Sequence, residues 1–458
     1  MKNETNIIKS KKSVLEFLHF AGPTSEQVEV LNAIEHFVQP ENELDFMVVC
    51  GSAGTGKSSI MNAVVDYLYQ QKTNVCICAP TARAVRLISK KTNTQASTVH
   101  SLVYNVKSEK DSAEIKFSLK RNMEDNYTVF IIDEASMINS KVVRNHEDEL
   151  FICDHALLDS VAHFVKSGNP KNKIIFVGDR YQLSPVGETD SNALYPTYLK
   201  SKYEWTGSEY NLTEVKRQED GCEILKVATQ FRECIANNSA MPKINLPSLS
   251  SGFVAQRHYI KELEQNGPDF VTNISCTNKQ NQHFNHGVRA LRFGQNAMPL
   301  VKNDVLVIKR NWKRHGHQLS NGDFVIVKEV DYSRKETVAG MTFVPVLLQA
   351  KDNFNKEIEI HDYILLDCFQ TGTPSMGKEK ENKLYHERNT KNKTYRETGN
   401  IEDDRYLGAI RGIYGYSITC NTAQGGEWEK VYLNSYFLPN LRWTYTAITR
   451  AKQQLIKY

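Results

Sequence analysis

What the chain lacks narrows its class before any motif is read. No apolar run approaches the ~20 residues that span a bilayer, and the opening "MKNETNIIKSKKS" has none of the apolar stretch of a secretory signal. No membrane partner is expected, and a cytoplasmic protein is. Cysteine is sparse and unpatterned: nine residues, an odd number, with no C-x-x-C. The nearest two, Cys76 and Cys78 in "VCICAP", share one face of a strand, which suits core packing better than a metal. A reducing compartment fits. Neither sign of charge dominates, since Lys+Arg 57 against Asp+Glu 53 gives a formal net charge of +4. That balance permits a polyanionic partner without demanding one. A guanine-reading N-K-x-D is also missing; the nearest match, "NKQN" at Asn278 to Asn281, lacks the acid.

What is there begins with composition. Hydrophobic residues at 40% and charged residues at 24% describe a globular protein, and 458 residues are too many for one ordinary core. The strongest local signal is "MVVCGSAGTGKSS", Met47 to Ser59, followed by the helical pattern "IMNAVVDYLYQ". Strand, glycine-rich loop and helix in that order form a phosphate-binding loop, G-x-x-x-x-G-K-[ST]. Gly51, Ser52, Ala53, Gly54, Thr55 and Gly56 can wrap phosphates with backbone N–H groups. Lys57 can reach the β- and γ-phosphates, and Ser58, beside Ser59, can bind Mg²⁺ through its hydroxyl.

Further strands read "NVCICAPT", "YTVFIIDEAS" and "KIIFVGDRYQLSPVG". The middle one stays apolar up to Asp133 and Glu134. In an open parallel sheet ligands bind beyond the C-terminal strand ends. Asp133 is therefore placed to hold Mg²⁺ and Glu134 to orient or deprotonate a water, as the last strand's turn brings up Asp179 and Gln182. Strands alternating with helices across 45–187 make one doubly wound α/β nucleotide-binding domain.

The ordered set "SEQ", "GSAGTGKSS", "APTARAVRLI", "STVHSL", "IIDEAS", "GDRYQLSPVG", "LTEVKRQ", "ITCNTAQGGEW" and "YTAITRAK" resembles the motif series of superfamily 1 helicases, in the RecD-like, Dda-like branch (superfamily 1B). The resemblance implies two RecA-like domains with ATP in the cleft between them. It makes Arg450 a finger supplied by the second domain, with Arg217 its partner, and fingers of this kind contribute roughly 10³–10⁵ in rate. It makes Gln27 an adenine reader and Gln182 a γ-phosphate sensor. It places single-stranded DNA against Thr81, Thr98, His100 and Thr419. Arg83 and Arg86 share a helix face that either meets phosphates or is simply solvated, and a capped helix start is the other reading of Thr98. Where the family has His-Lys this chain has Asn421 and Thr422, so one charged contact is missing.

Two insertions interrupt the pattern. The first, about 104–126, is mostly polar, with Phe117 nearly its only large apolar side chain, and the resemblance implies a duplex-splitting β pin here. Phe117 either stands at the fork or packs its own hairpin against the domain. The second, 293–405, contains short alternating runs with "NGD" as a turn signal, and the resemblance suggests an SH3-like barrel. Within it, "GKEKENKLYHERNTKNKTYRETGN" interleaves Tyr385 and Tyr395 with basic residues, as a strand-tracking surface or a solvated loop. The division is then 1–210 for the first RecA-like domain, with 211–292 and 406–458 as the halves of the second.

The resemblance implies an ATP- and Mg²⁺-dependent helicase or single-strand translocase moving 5′→3′. It would be a monomer acting on single-stranded DNA and duplex forks. A single-strand-binding protein or a recombination complex would be a further partner. Two other readings fit the motifs: a helicase subunit of a recombination nuclease complex, and a P-loop regulator that binds nucleic acid without unwinding it. Lys57→Ala and Glu134→Gln should both abolish ATP turnover, for different reasons. Glu134→Gln should still trap Mg·ATP, because the carboxylate acts on water, whereas Lys57→Ala should weaken nucleotide binding itself. Normal hydrolysis by Glu134→Gln would remove that residue from the chemistry.

Overall fold

The structure is a computed structural model that describes residues 12–108, 112–142, 151–214, 223–352 and 356–458. The apolar runs of the first lobe form parallel strands ordered Ser97–Thr98, Asn74–Ala79, Thr128–Ile132, Lys173–Gly178, Phe46–Gly51 and Gly207–Leu212. They read as continuous hydrophobic stretches because both faces of the sheet are covered. Met47, Val49, Ile131 and Val177 face a core shared with the helices Ser25–Phe37 and Lys57–Gln70. Phe46, Val48, Phe130 and Phe176 face the opposite core, which includes the helix Leu157–Ser167. Alternate residues of each strand thus serve two cores, and the loops at the C-terminal strand ends are left to carry the polar residues.

The second lobe is a smaller parallel sheet ordered Ser417–Thr419, Val271–Ser275, Trp428–Leu433 and Ala451–Lys457. Between its first two strands in the chain lies an antiparallel sheet built from Val305–Ile308, Phe324–Val330, Glu336–Val338, Met341–Lys351, Glu357–Leu365 and Gly412–Tyr414. Gly412–Tyr414 still pairs with Val305–Ile308, so the antiparallel unit extends past Arg405. The two RecA-like lobes agree with the α/β helicase fold expected from the motifs.

The basic stretch after Gly377 is neither a loop nor a set of exposed rings. It forms the helices Lys378–Lys391 and Lys393–Thr398, with Asn392 capping the second. Tyr385 and Tyr395 are buried against each other, ring centroids 6.5 Å apart, in a core with Met341, Phe343 and Leu384. Straight-chain Lys and Glu favour helix, and the few apolar residues are enough to seat it. Stacking of bases on these tyrosines is therefore ruled out in this arrangement.

In the first insertion, Tyr104–Ser108 pairs antiparallel with Ile115–Leu119. The far end of this hairpin crosses to the inserted helices, where Ala113 N donates to Asn382 Oδ1 at 2.9 Å and Glu114 pairs with Lys378 at 2.5 Å.

The inserted helices are themselves held by a buried ion pair. Arg411, one residue before the strand Gly412–Tyr414, donates to both oxygens of Glu381 at 2.8 and 3.1 Å, with both side chains 1% exposed. Arg411→Ala strands the Glu381 carboxylate and should cost about 3–5 kcal/mol. Urea unfolding should show an earlier transition for it, and a much smaller loss for the paired replacement Arg411→Met with Glu381→Leu.

Candidate functional site

The phosphate loop runs from Gly51 to Gly56, where Gly54 and Gly56 adopt φ of 87° and 86°. These left-handed conformations turn the chain so that the helix Lys57–Gln70 starts without any side-chain cap. Its first N–H groups and the positive end of its dipole are thus available to an anion. The Lys57 ammonium lies along the loop, donating to Gly51 O at 2.6 Å and Ser52 O at 3.0 Å. Gln27 is only 2% exposed. Its Nε2 donates to Thr55 O at 2.9 Å and its Oε1 accepts from Thr24 N at 3.0 Å, so it straps the first helix to the loop.

Asp133 and Glu134 follow the strand Thr128–Ile132. Glu134 has φ 51°, a left-handed value that costs a side chain roughly 1–3 kcal/mol. The turn it creates sets both carboxylates in the cleft, and Glu134 N donates to Asp133 Oδ1 at 2.9 Å. Burial pushes the Glu134 carboxyl above its usual range, and the neighbouring Asp133 charge adds to this, while Arg450 and Lys57 act against it. Burial likewise raises Asp133, opposed by its bond from Glu134 N and by Lys57 and Lys91.

The second lobe closes the other side. Tyr445 Oη donates to Asp179 Oδ2 at 2.7 Å, and Leu183 N donates to Thr446 Oγ1 at 2.8 Å. Between them Gln182 is 3% exposed, and its Oε1 has no hydrogen-bond partner among the described residues. Arg450 is 3% exposed and so is no surface charge. It donates to Thr446 O, Gly426 O and Thr449 Oγ1 at 3.0, 3.1 and 3.1 Å, all within its own lobe. Arg217 lies outside the described residues. Sequence reasoning missed Arg232, whose NH1 donates across the cleft to Ser52 Oγ at 3.0 Å. It falls in an ordinary amphipathic helix, Glu223–Ala236, with no local signal to mark it.

On the other side of the cleft, Thr81, Thr98 and Thr419 each end a strand or its turn and cap the next helix. Their Oγ1 atoms accept from Ala84 N at 3.2 Å, Ser101 N at 3.2 Å and Thr422 N at 3.3 Å. Thr277, unnoticed in the sequence, does the same for Gln280 N at 3.2 Å. His100 is exposed, its ring 6.0 Å from that of Tyr104. Arg83 and Arg86 do not form a solvated face. The Arg83 guanidinium lies 3.9 Å from the Trp428 ring centroid and 5.1 Å from that of Phe324, and Arg86 pairs with Asp323. Cation–π attraction to the second lobe has taken up the Arg83 side chain, which leaves a phosphate contact there without support. Gly426 permits this approach, since a Cβ there would sit 2.7 Å from Arg83 Nε. Phe117 packs its ring on Tyr104, centroids 5.6 Å apart, and so fastens the hairpin rather than standing free.

Residues 35–188 match the model of an AAA domain, and residues 414–456 that of a UvrD-like helicase C-terminal domain. The chain is 26% identical over 416 residues to the ATP-dependent RecD2 DNA helicase of Deinococcus radiodurans, covering 89% of this chain and 46% of that protein. It is 27% identical over 188 residues to the ATP-dependent DNA helicase dda of Enterobacteria phage T4, covering 41% of this chain and 37% of that one. It spans about half, or less, of the length of these relatives. In sequence the chain is thus similar to ATP-dependent DNA helicases of the RecD2 and dda kind. In fold it is similar to the Pif1 helicase from Candida albicans, with a TM-score of 0.52 at 14% sequence identity over 96% of this chain and 95% of that one.

In this chain the Tyr445–Asp179 bond joins the Gln182 turn to the helix that leads into Arg450. Tyr445→Phe should therefore slow ATP turnover at least about tenfold, equivalent to ~1.4 kcal/mol, the lower end for a bond to a charged group. Nucleotide affinity at the P-loop should change much less. Unaltered turnover would show that closure does not depend on this contact.

Proposed function

We propose that the protein is an ATP-dependent DNA helicase or single-strand translocase in which Mg·ATP hydrolysis between the two lobes drives movement. The observation that supports this best is the composition of the cleft. A phosphate loop and two desolvated carboxylates on one lobe face a buried arginine carried by the other. A simple P-loop regulator has no need of the second half.

The residues present fit the nucleotide and its ion. The uncapped helix start, the glycine conformations, and the orphaned Gln182 oxygen are features that polyphosphate and its attacking water would satisfy. Ser58 and Asp133 would hold Mg²⁺, which when bound neutralises charge on the phosphate oxygens. Lys57 and the loop N–H groups bind the β- and γ-phosphates. Glu134 orients the attacking water and takes its proton, a role that its raised pKa suits. Gln182 accepts a hydrogen bond from that water or reports on the phosphate. Arg450 leaves its three acceptors when charge spreads over the transferring phosphoryl group, and Arg217 assists it. Gln27 would exchange its bond to Thr55 for one to adenine.

The capped helix starts at Thr81 and Thr277 offer positive dipole ends to a phosphate backbone, and Thr98, His100 and Thr419 flank them. Alternating grips by these two sets move the chain along a single strand, 5′→3′ by resemblance. The hairpin Tyr104–Leu119 is the strand-splitting pin, and the antiparallel unit of the second lobe corresponds to the family's SH3-like domain. With Phe117 committed to Tyr104, the pin depends on its tip contact with the inserted helices.

ATP-driven unwinding of a short duplex bearing either a 5′ or a 3′ single-stranded tail tests the proposal. Unwinding of the 5′-tailed duplex alone is expected, with turnover that rises on adding single strands. Turnover indifferent to DNA would return the chain to the regulator reading. Arg450→Ala should lose roughly 10³-fold or more in hydrolysis while keeping most of its nucleotide affinity, as measured by a fluorescent ATP analogue.

A further inference from the structure

One cation of the second lobe has no part in the ATP cleft. Lys309 directly follows the strand Val305–Ile308 and lines an open cleft. The cleft lies between the antiparallel unit and the C-terminal ends of Val271–Ser275 and Ser417–Thr419, where the parallel sheet exposes its ligand-binding edge. Its polar walls include Asn278, Gln282, Thr419 and Thr422. The rings of Phe369 and Tyr414, centroids 5.1 Å apart, form an apolar wall. Among the described residues, no aspartate or glutamate lines it.

The Lys309 ammonium has no ion pair and no hydrogen bond among the described residues; only its backbone N–H is engaged, donating to Arg411 O at 2.9 Å. Burial pushes its pKa down, and no carboxylate acts against this. A half-buried, unpaired ammonium destabilises the fold. It is explained if an anion completes it. A lone carboxylate would leave the row of amides and hydroxyls idle, whereas a phosphodiester offers several acceptor oxygens to them.

We propose that Lys309 is a phosphate contact for single-stranded nucleic acid, holding the strand in the cleft beside Thr419. The inference rests on the helicase or translocase reading. Thr422, at the position where the family pattern has lysine, lines the same cleft, its Oγ1 3.0 Å from that of Thr419. Lys309 thus restores from the antiparallel unit the charge that the parallel sheet lacks.

Binding of a fluorescent oligothymidylate, titrated across salt concentrations, tests this on the full chain. Each single-strand phosphate contact contributes about 0.7 to the slope of log K against log salt. Lys309→Met should therefore lower the slope by about 0.7 and weaken low-salt binding several-fold, and Lys309→Arg should keep both. Thr422→Lys added to Lys309→Met should restore the slope. The melting temperature of Lys309→Met should stay level or rise, because an unpaired charge has been removed; a clear fall would make Lys309 a structural residue and overturn the inference. An unchanged slope in Lys309→Met, with normal binding by the unmutated chain, overturns this inference alone. Failure of the unmutated chain to bind the strand overturns the functional reading and this inference together. Inorganic phosphate displacing the oligonucleotide only from proteins that retain Lys309 would point instead to a free-phosphate site and overturn the strand assignment.

Discussion

The hydrogen bond from Tyr445 to Asp179 is a buried, charge-assisted contact between the lobes on the nucleotide side. Asp179 begins the turn that carries Gln182, and Tyr445 sits on the helix leading into Arg450. A buried bond to a carboxylate is strong because water cannot compete for it. It therefore sets Gln182 and Arg450 in one frame although they come from distant parts of the chain. The flanking bond from Leu183 to Thr446 makes the joint a short ladder rather than a pivot.

Around this joint the protein accepts local cost. Glu134 adopts a left-handed backbone and Asp133 and Glu134 are desolvated together, while in a separate cleft Lys309 has no partner among the described residues. Each departure lies beside a proposed anion or water position, where a bound group would relieve it. The glycine at 426 belongs with these features. Its missing side chain lets Arg83 lie on Trp428, which joins the lobes on the strand-facing side as Tyr445 joins them on the nucleotide side.

The hairpin and the inserted helices depend on each other in the same way. Glu114 and Ala113 reach across to Lys378 and Asn382, and those helices are in turn fixed by the Arg411–Glu381 pair. Even with the short strand Phe151–Ile152 paired to Ile115 and Lys116, so small a sheet has little stability of its own. Its base is held by Phe117 on Tyr104, and its far end by the inserted helices.

Much of this was legible from residue order alone. The glycines and Lys57 identify the phosphate loop, because few other uses need that spacing beside a strand, and the apolar run ending in Asp133 and Glu134 locates the acids. Local patterns could not show where long side chains go. Arg83 and Arg86 have the helical spacing of a solvated face, yet the opposite lobe supplies Trp428, Phe324 and Asp323 to receive them. Tyr385 and Tyr395 sit among charges, and only a core assembled from Met341, Phe343 and Leu384 explains their burial. Arg232 has no motif, and Phe117 has no pattern until Tyr104 is beside it. The sequence by itself determined which residues are available for the proposed chemistry, since that requires particular residue types at short fixed spacings within one loop or strand end. The tertiary structure decided which cations face the cleft, which bind aromatic rings and which remain unpaired, because those outcomes depend on partners brought together from opposite lobes.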